Sequence, residues 1–168
     1  MLIYHPAFDI YNCVFRMLQL LSYMKQDEVE VDRLRIWDFY LTFPNEARNI
    51  SYPSSLSELK NIFKKKAPNP YEDLIDAKRI IERMKSYQLS ALKCIASYDL
   101  IDSELLAKNI VRRTNNEIPA ELSNKFNELT IEKQNIIKLI VGFWELPLYG
   151  KYGLKNRTGL IEFKYDQR

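Results

Sequence analysis

The sequence predicts a mainly α-helical fold with a minor α+β component, and three observations carry that prediction. Apolar residues recur at helical spacing through most of the chain. Glycine is scarce, four in 168 residues, and three of the four fall between Gly150 and Gly159. That disfavours a sandwich or barrel built on many tight turns and suits helices joined by short polar links. Finally, a helix, a short turn and a β-branched segment with a basic tip follow one another over 87–114, the order of a winged helix-turn-helix, though many small α+β domains share it. The expected architecture is a winged-helix-like helical domain with a short β wing over 1–115, and a C-terminal helix pair plus strand over 116–168 packed on it. The two parts can equally form one single domain, since the hydrophobic fraction of 46% is enough for one core.

The elements follow in order. Residues 10–24 read as a helix capped by Asp9, with Ile10, Val14, Met17, Leu18 and Leu21 as a buried stripe and Phe15 and Leu20 off it, so a second side is covered too. Asp27 to Asp32 is an acidic linker. A helix from about Arg33 to Phe43 stops at Pro44. It is apolar on most sides (Leu34, Ile36, Trp37, Phe39, Tyr40, Leu41), which places it centrally in a core or in an interface. After a loop over 44–54, Ser55 with Glu58 fits a capping box opening a helix with Leu56, Leu59, Ile62 and Phe63 inward. Lys64, Lys65 and Lys66 close that helix, where cations favour the negative end of the dipole; a phosphate or partner contact is the competing reading.

Pro68 and Pro70 mark a break. Asp76 caps a helix using Ala77, Ile80, Ile81 and Met84, and a separate helix over 87–98 follows Ser86 with Leu92, Ile95 and Ala96 inward. A turn over Asp99–Asp102 precedes a strand from Asn109 to Thr114, in which Ile110 and Val111 are β-branched and Arg112 and Arg113 follow. A glycine would ease left-handed geometry at Asp99, so this turn is unusual. Pro119 starts a helix reaching about Leu129, and Thr130 caps a last long helix over 131–145 ended by Pro147. Residues 148–159 read as a mobile loop, and Ile161, Phe163 and Tyr165 alternate with Glu162 and Lys164 as a terminal strand.

Charge and chemistry bound the function. Net charge is +3; the basic and acidic residues split as 5 and 7 over 1–50, 12 and 8 over 51–115, and 8 and 7 over 116–168. The mildly basic middle fits a phosphate backbone, an acidic partner or an ordinary solvated surface, and no stripe of basic residues emerges. Cys13 and Cys94 belong to no CxxC and read as buried reduced thiols. No leader and no apolar run of about 18 residues is visible, so a cytoplasmic protein without a membrane span is expected. His5 is the only histidine; the usual zinc sets and a nucleophile–His–Asp site lack partners, and His5 before Pro6 reads as a residue that fixes how the chain enters the first helix. No phosphate-loop motif occurs, and Gly150-Lys151-Tyr152-Gly153 lacks the two flanking helices of a nucleic-acid-clamping loop. Asp38, alone in an apolar helix, is expected to pair with Arg35 or Arg33. The reading is a partner subunit: not an enzyme, with no cofactor and no metal.

Two motifs are distinctive: Tyr4-His5-Pro6-Ala7-Phe8-Asp9 followed by Val14-Phe15-Arg16-Met17-Leu18, and the run from Asp32 through Arg33-Leu34-Arg35-Ile36-Trp37-Asp38-Phe39-Tyr40 to Pro44. Ala91-Leu92-Lys93 and Leu100-Ile101-Asp102 continue the pattern. Together they resemble the middle component of bacterial ABC three-component conflict systems, over most of 1–114 and weakly over 115–168. The resemblance implies a non-catalytic adaptor of winged-helix character. Its partners would be an SMC/Rad50-like ATPase subunit and an effector subunit, often a nuclease, as in Lamassu-type antiphage defence. A share in sensing foreign double-stranded DNA is a further implication. For the adaptor, Arg33, Arg35, Trp37 and Tyr40 would anchor a partner, because aromatics and arginine dominate interface hot spots. The alternative is a free-standing winged-helix DNA-binding transcriptional regulator, with Lys64, Lys65, Lys66, Arg112 and Arg113 on phosphates.

Overall fold

The computed structural model describes residues 4–65, 74 and 76–162; Lys66, Pro68, Pro70, Phe163, Lys164 and Tyr165 lie outside the described residues. The first helix, α1, spans Ile10–Tyr23, and the Asp9 carboxylate accepts from the Asn12 N–H at 3.0 Å, as its sequence predicts. Its buried face is rotated from the expected stripe. Cys13, Met17, Leu18, Leu20 and Leu21 are buried, whereas Ile10 is exposed. The rotation follows from α1 packing on two neighbours at once, the helices α2 (Val31–Thr42) and α4 (Ala77–Ser97). Phe15, off the stripe, meets Phe126 edge to face at 5.4 Å.

The expected acidic linker contains a strand, β1 (Glu28–Glu30), paired antiparallel with β2 (Ile110–Arg112) in the register Glu28–Arg112, Val29–Val111, Glu30–Ile110. The Glu-Val-Glu alternation puts only Val29 inward, against Val111, and both are buried. A bridge between Ile101 and Arg113 lies beyond the paired strands, so the Ile101–Asp102 segment sits beside the end of β2. Helix α2 begins two residues before its expected start and is enclosed almost all round, from Val31 to Leu41.

Three expected helix boundaries are corrected. The helix α3 spans Ser57–Lys64 behind a 3-10 turn at Ser54–Leu56, and Leu56 occupies its N-cap position without a side-chain cap, so the Ser55/Glu58 capping box does not form. Helix α4 runs unbroken through Ser86, since no proline or glycine interrupts it and Gln88 and Leu92 continue its buried face; Asp76 caps it, accepting from the Arg79 N–H at 3.1 Å. The helix expected from Pro119 to about Leu129 shrinks to α6 (Ala120–Ser123).

Between α4 and β2 the chain adopts left-handed backbone at Asp99 (φ 55°) and Asn109 (φ 61°), on either side of a short helix α5 (Ser103–Leu106). Asp and Asn are the non-glycine residues that tolerate this geometry best. Helix α7 covers Ile131–Gly142, capped by Thr130 and ending short of 145. The expected loop over 148–159 holds a further helix, α8 (Leu154–Thr158), with Leu154 and Lys155 buried, and Gly159 at φ 64° stops it. Ile161 and Glu162 are not in a strand.

One apolar core joins the two parts of the chain. Trp37 on α2 meets Phe143, just after α7, edge to face at 5.9 Å, and Tyr52 also meets Phe143 edge to face at 5.7 Å. Among the described residues no helix is long and apolar enough to cross a membrane.

Candidate functional site

Among the described residues, a connected set of polar side chains lies in the interior. Asp38 is fully buried on α2. Its Oδ1 accepts from Arg16 Nε of α1 at 2.5 Å, and its Oδ2 accepts from Gln88 Nε2 of α4 at 2.8 Å. Gln88 Oε1 in turn accepts from Arg35 Nε at 3.0 Å, and Arg35 Nη1 donates to Asp32 at 3.0 Å. The second oxygen of Asp32 meets Lys155 Nζ of α8 at 2.9 Å. Arg16 also donates to the Pro6 carbonyl at 3.0 Å. The result is a continuous chain from Pro6 through α1, α2 and α4 to α8. Asp38 therefore pairs with Arg16 and not with Arg35 or Arg33, because α1 crosses α2 at this point and Gln88 stands between Asp38 and Arg35. Arg33 instead reaches Glu30 at 2.9 Å and the Leu146 carbonyl at 2.8 Å.

This arrangement holds helices together. Burial pulls the Arg16 guanidinium down, but the Asp38 charge outweighs it and leaves the group above its ordinary value. Burial, reinforced by Asp38, pushes the Cys13 thiol far up and favours its neutral form. Asp32 loses solvation, yet Lys155 and Arg35 hold its carboxyl below the ordinary carboxylate value. His5 accepts from the Ala7 N–H at 3.1 Å and stacks on Phe43 at 5.2 Å, which is the structural role its sequence context predicts. Among the described residues no group of three His, Cys, Asp or Glu side chains is placed to hold a metal ion.

The residues expected to anchor a partner are internal. Arg33, Arg35, Trp37 and Tyr40 are 5%, 3%, 1% and 2% exposed. Both arginines are bound as described, and Trp37 and Tyr40 face one another at 5.9 Å within the core. Flanking α1, α4 and α7 cover this helix, so in the folded chain these four side chains face its neighbours.

The residues expected on phosphates fall into two groups. Lys64 and Lys65 are exposed at the end of α3, which packs on α7 and the 44–49 turn. Arg112 and Arg113 are exposed on and beside β2; Arg112 pairs with Glu28 at 2.7 Å, and Arg113 donates to the Asn116 carbonyl at 3.3 Å.

Two surface features went unread in the sequence. An apolar cleft of about 330 Å³ opens between α1, the end of α4 and α6, lined by Val14, Leu18, Cys94, Ile95 and Leu122, with the exposed Tyr98 at its rim. The outer face of α4 carries Arg79, Arg83, Ser86, Ser90 and Lys93, all exposed. Their spacing of four, three, four and three residues makes one line along a helix. Reading 87–98 as a separate helix cut this line in two, which is why no basic stripe emerged.

A family model described as ABC-three component (ABC-3C) system Middle Component 5 matches residues 2–166. No curated protein and no solved structure matches the chain. With nearly its whole length covered, including the C-terminal part where the motif resemblance was weak, the chain belongs to the middle component 5 family of ABC-three component systems.

Proposed function

We propose that this middle component is the non-catalytic adaptor that joins an SMC/Rad50-like ATPase to a nuclease-type effector in bacterial antiphage defence of the Lamassu type, working in the cytoplasm. The observation that carries the proposal is the family match over 2–166, since a middle component of a three-component system has other components to meet. The interior supports it. The only histidine caps a turn, Cys13 is buried, and Asp38 is saturated by Arg16 and Gln88. The apolar cleft rimmed by Tyr98 offers a protein partner an aromatic anchor and an apolar floor, the combination that dominates interface energetics. Trp37, Tyr40, Arg33 and Arg35 serve the interface from behind, by fixing the helices that form its surface.

The winged-helix reading rests on the order of β1, β2 and the bridge at Ile101 after α4. It keeps DNA in view as a further partner, with Lys64, Lys65, Lys66, Arg112 and Arg113 among the phosphate contacts. The same feature favours the second reading, a free-standing winged-helix regulator.

A tagged pull-down from the native cell, with mass spectrometry of what co-purifies, tests the two. Co-purification of an ATPase of this class and an effector is expected. Recovery of the protein alone, or with chromosomal DNA only, overturns the adaptor in favour of the regulator. Trp37→Ala and Tyr40→Ala should lower the thermal midpoint before any partner is lost selectively; large-to-small changes of buried aromatics cost about 3–5 kcal/mol. Loss of the partner at an unchanged midpoint would show that these side chains touch it directly.

A further inference from the structure

We propose that the outer face of α4 is a docking surface for the sugar–phosphate backbone of double-stranded DNA. The inference rests on the reading that the subunit contacts DNA, and locates that contact on α4.

Among the described residues, Lys78, Arg79, Arg83, Lys85 and Lys93 are exposed and none forms an ion pair. Elsewhere the arginines of α1, α2 and β2 are tied to carboxylates. Three of these cations, Arg79, Arg83 and Lys93, share one face, and against the single acid of the helix, Glu82, they leave a face whose charge the protein itself does not neutralise. Arg79, Arg83, Ser86, Ser90 and Lys93 lie on one line, and the distance from Arg79 to Lys93 along the axis is about 21 Å at the helical rise. A duplex presents about 12 phosphate charges over that length.

The helix is fixed before any ligand arrives. α4 packs on α1, and the Arg83 guanidinium is held 4.6 Å from the centre of the Phe8 ring. The middle of the line carries Ser86 and Ser90. These small side chains let the helix approach closely, and hydroxyls are ordinary donors to phosphate oxygens.

The line has no aromatic or large aliphatic side chain, and that decides between DNA and an acidic protein. A protein interface draws its energy from a desolvated apolar centre; phosphate contacts draw theirs from counterion release and need no such centre. Tyr98 and the apolar cleft lie on another side of the same helix.

The test is fluorescence anisotropy of the full chain with a labelled mixed-sequence duplex of about 30 base pairs, titrated at NaCl concentrations from about 50 to 200 mM. Salt-dependent binding is expected, with a log–log slope of about −3 if Arg79, Arg83 and Lys93 each neutralise one phosphate. The Arg79→Ala/Lys93→Ala variant should bind at least about tenfold more weakly at the lowest salt, with a slope nearer zero by about 2. Glu82→Gln should tighten binding. Thermal melts of both variants should match that of the unchanged protein, which separates loss of contact from loss of fold.

No binding by the unchanged protein at the lowest salt overturns the DNA contact altogether. Binding that survives Arg79→Ala/Lys93→Ala but is lost in Lys64→Ala/Lys65→Ala or Arg112→Ala/Arg113→Ala overturns the α4 assignment and leaves the DNA contact standing. Displacement of the protein by polyglutamate at the same charge concentration as duplex would make the face an acidic-protein surface instead.

Discussion

Helix α2 and the outer face of α4 hold similar residue types in opposite circumstances. On α2, Arg33, Arg35 and Asp38 are almost wholly buried and bound to neighbours. On α4, Arg79 and Lys93 are exposed and unpaired among the described residues. A buried charge costs several kcal/mol to desolvate and persists only with partners in good geometry. An exposed cation costs little and is free to meet something else. The first region therefore fixes the fold, and the second has charge to spare for a ligand. Arginine content alone distinguishes neither; what matters is which carboxylates the fold brings alongside.

The largest effect that this comparison predicts lies at Asp38. Asp38→Ala leaves the Arg16 guanidinium buried without its counter-charge and strips Gln88 of an acceptor, and removing one partner of a buried pair costs about 3–5 kcal/mol. Chemical denaturation should show that loss at neutral pH. A double change, Arg16→Met with Asp38→Leu, should recover much of it, because well-packed apolar replacements of a buried pair are often neutral. If the double variant is as unstable as Asp38→Ala, the polar chain specifies the packing of α1 on α2 in a way that apolar side chains cannot reproduce.

What the sequence disclosed follows the same division between local and distant causes. The caps at Asp9, Asp76 and Thr130 were legible because each bonds a backbone N–H three residues ahead. Strand β1 was not, because its partner lies over 80 positions away and three residues give no period to measure. Asp38 was recognised as unusual, but the helix that supplies Arg16 depends on how α1 crosses α2. Lys155 was hidden in a stretch whose glycines suggested a loop; its pairing with Asp32 is visible only once α8 is folded. The motifs that carried the family resemblance prove to hold much of this buried chain: the Pro6 carbonyl, Arg16, Arg35, Asp32 and Asp38 all lie within them. Their distinctive spacing encodes how α1, α2 and α4 pack on one another. The line of cations on α4 is legible only when the helix is continuous through Ser86.

A smaller effect is expected where the backbone crowds itself. A Cβ added at Gly153 would overlap the carbonyls of Leu148 and Tyr149. Gly153→Ala should therefore displace the start of α8, and with it Lys155 from Asp32. Overpacking of this kind typically costs about 1–3 kcal/mol. Gly150 has open space at the same test but a φ of 88°, so Gly150→Asn, which tolerates left-handed backbone, should cost less than Gly153→Ala. Equal losses would mean that conformation, not crowding, governs this turn.

A weaker, pH-dependent effect belongs to His5. Burial, with Arg16 adding to it, holds the imidazole below its ordinary value of 6.5. The unfolded chain then binds the proton first, so the contribution of neutral His5 is present above about pH 6.5 and is lost as pH falls below it toward the folded value. Asp9 and Asp32 are depressed below 3.8 and contribute their own loss only in that more acidic range. With a single histidine in the chain, a decline in thermal midpoint between about pH 7 and 5 should vanish in His5→Asn, which keeps an oxygen to cap Ala7. A decline that persists in the variant would assign it elsewhere.

The smallest effect, and the one that sharpens the comparison most, is at α4. Surface substitutions away from caps, caves and ion pairs usually stay within about 0.5 kcal/mol, so Arg79→Ala and Lys93→Ala should leave the denaturation midpoint where it is. Arg83→Ala should cost slightly more, since its guanidinium covers the Phe8 ring. If Arg79→Ala or Lys93→Ala destabilised the protein by more than about 1 kcal/mol, those cations would belong with Arg16 and Arg35 as parts of the fold. An unchanged midpoint means that their charge is not spent on folding, which is the condition a binding surface has to meet.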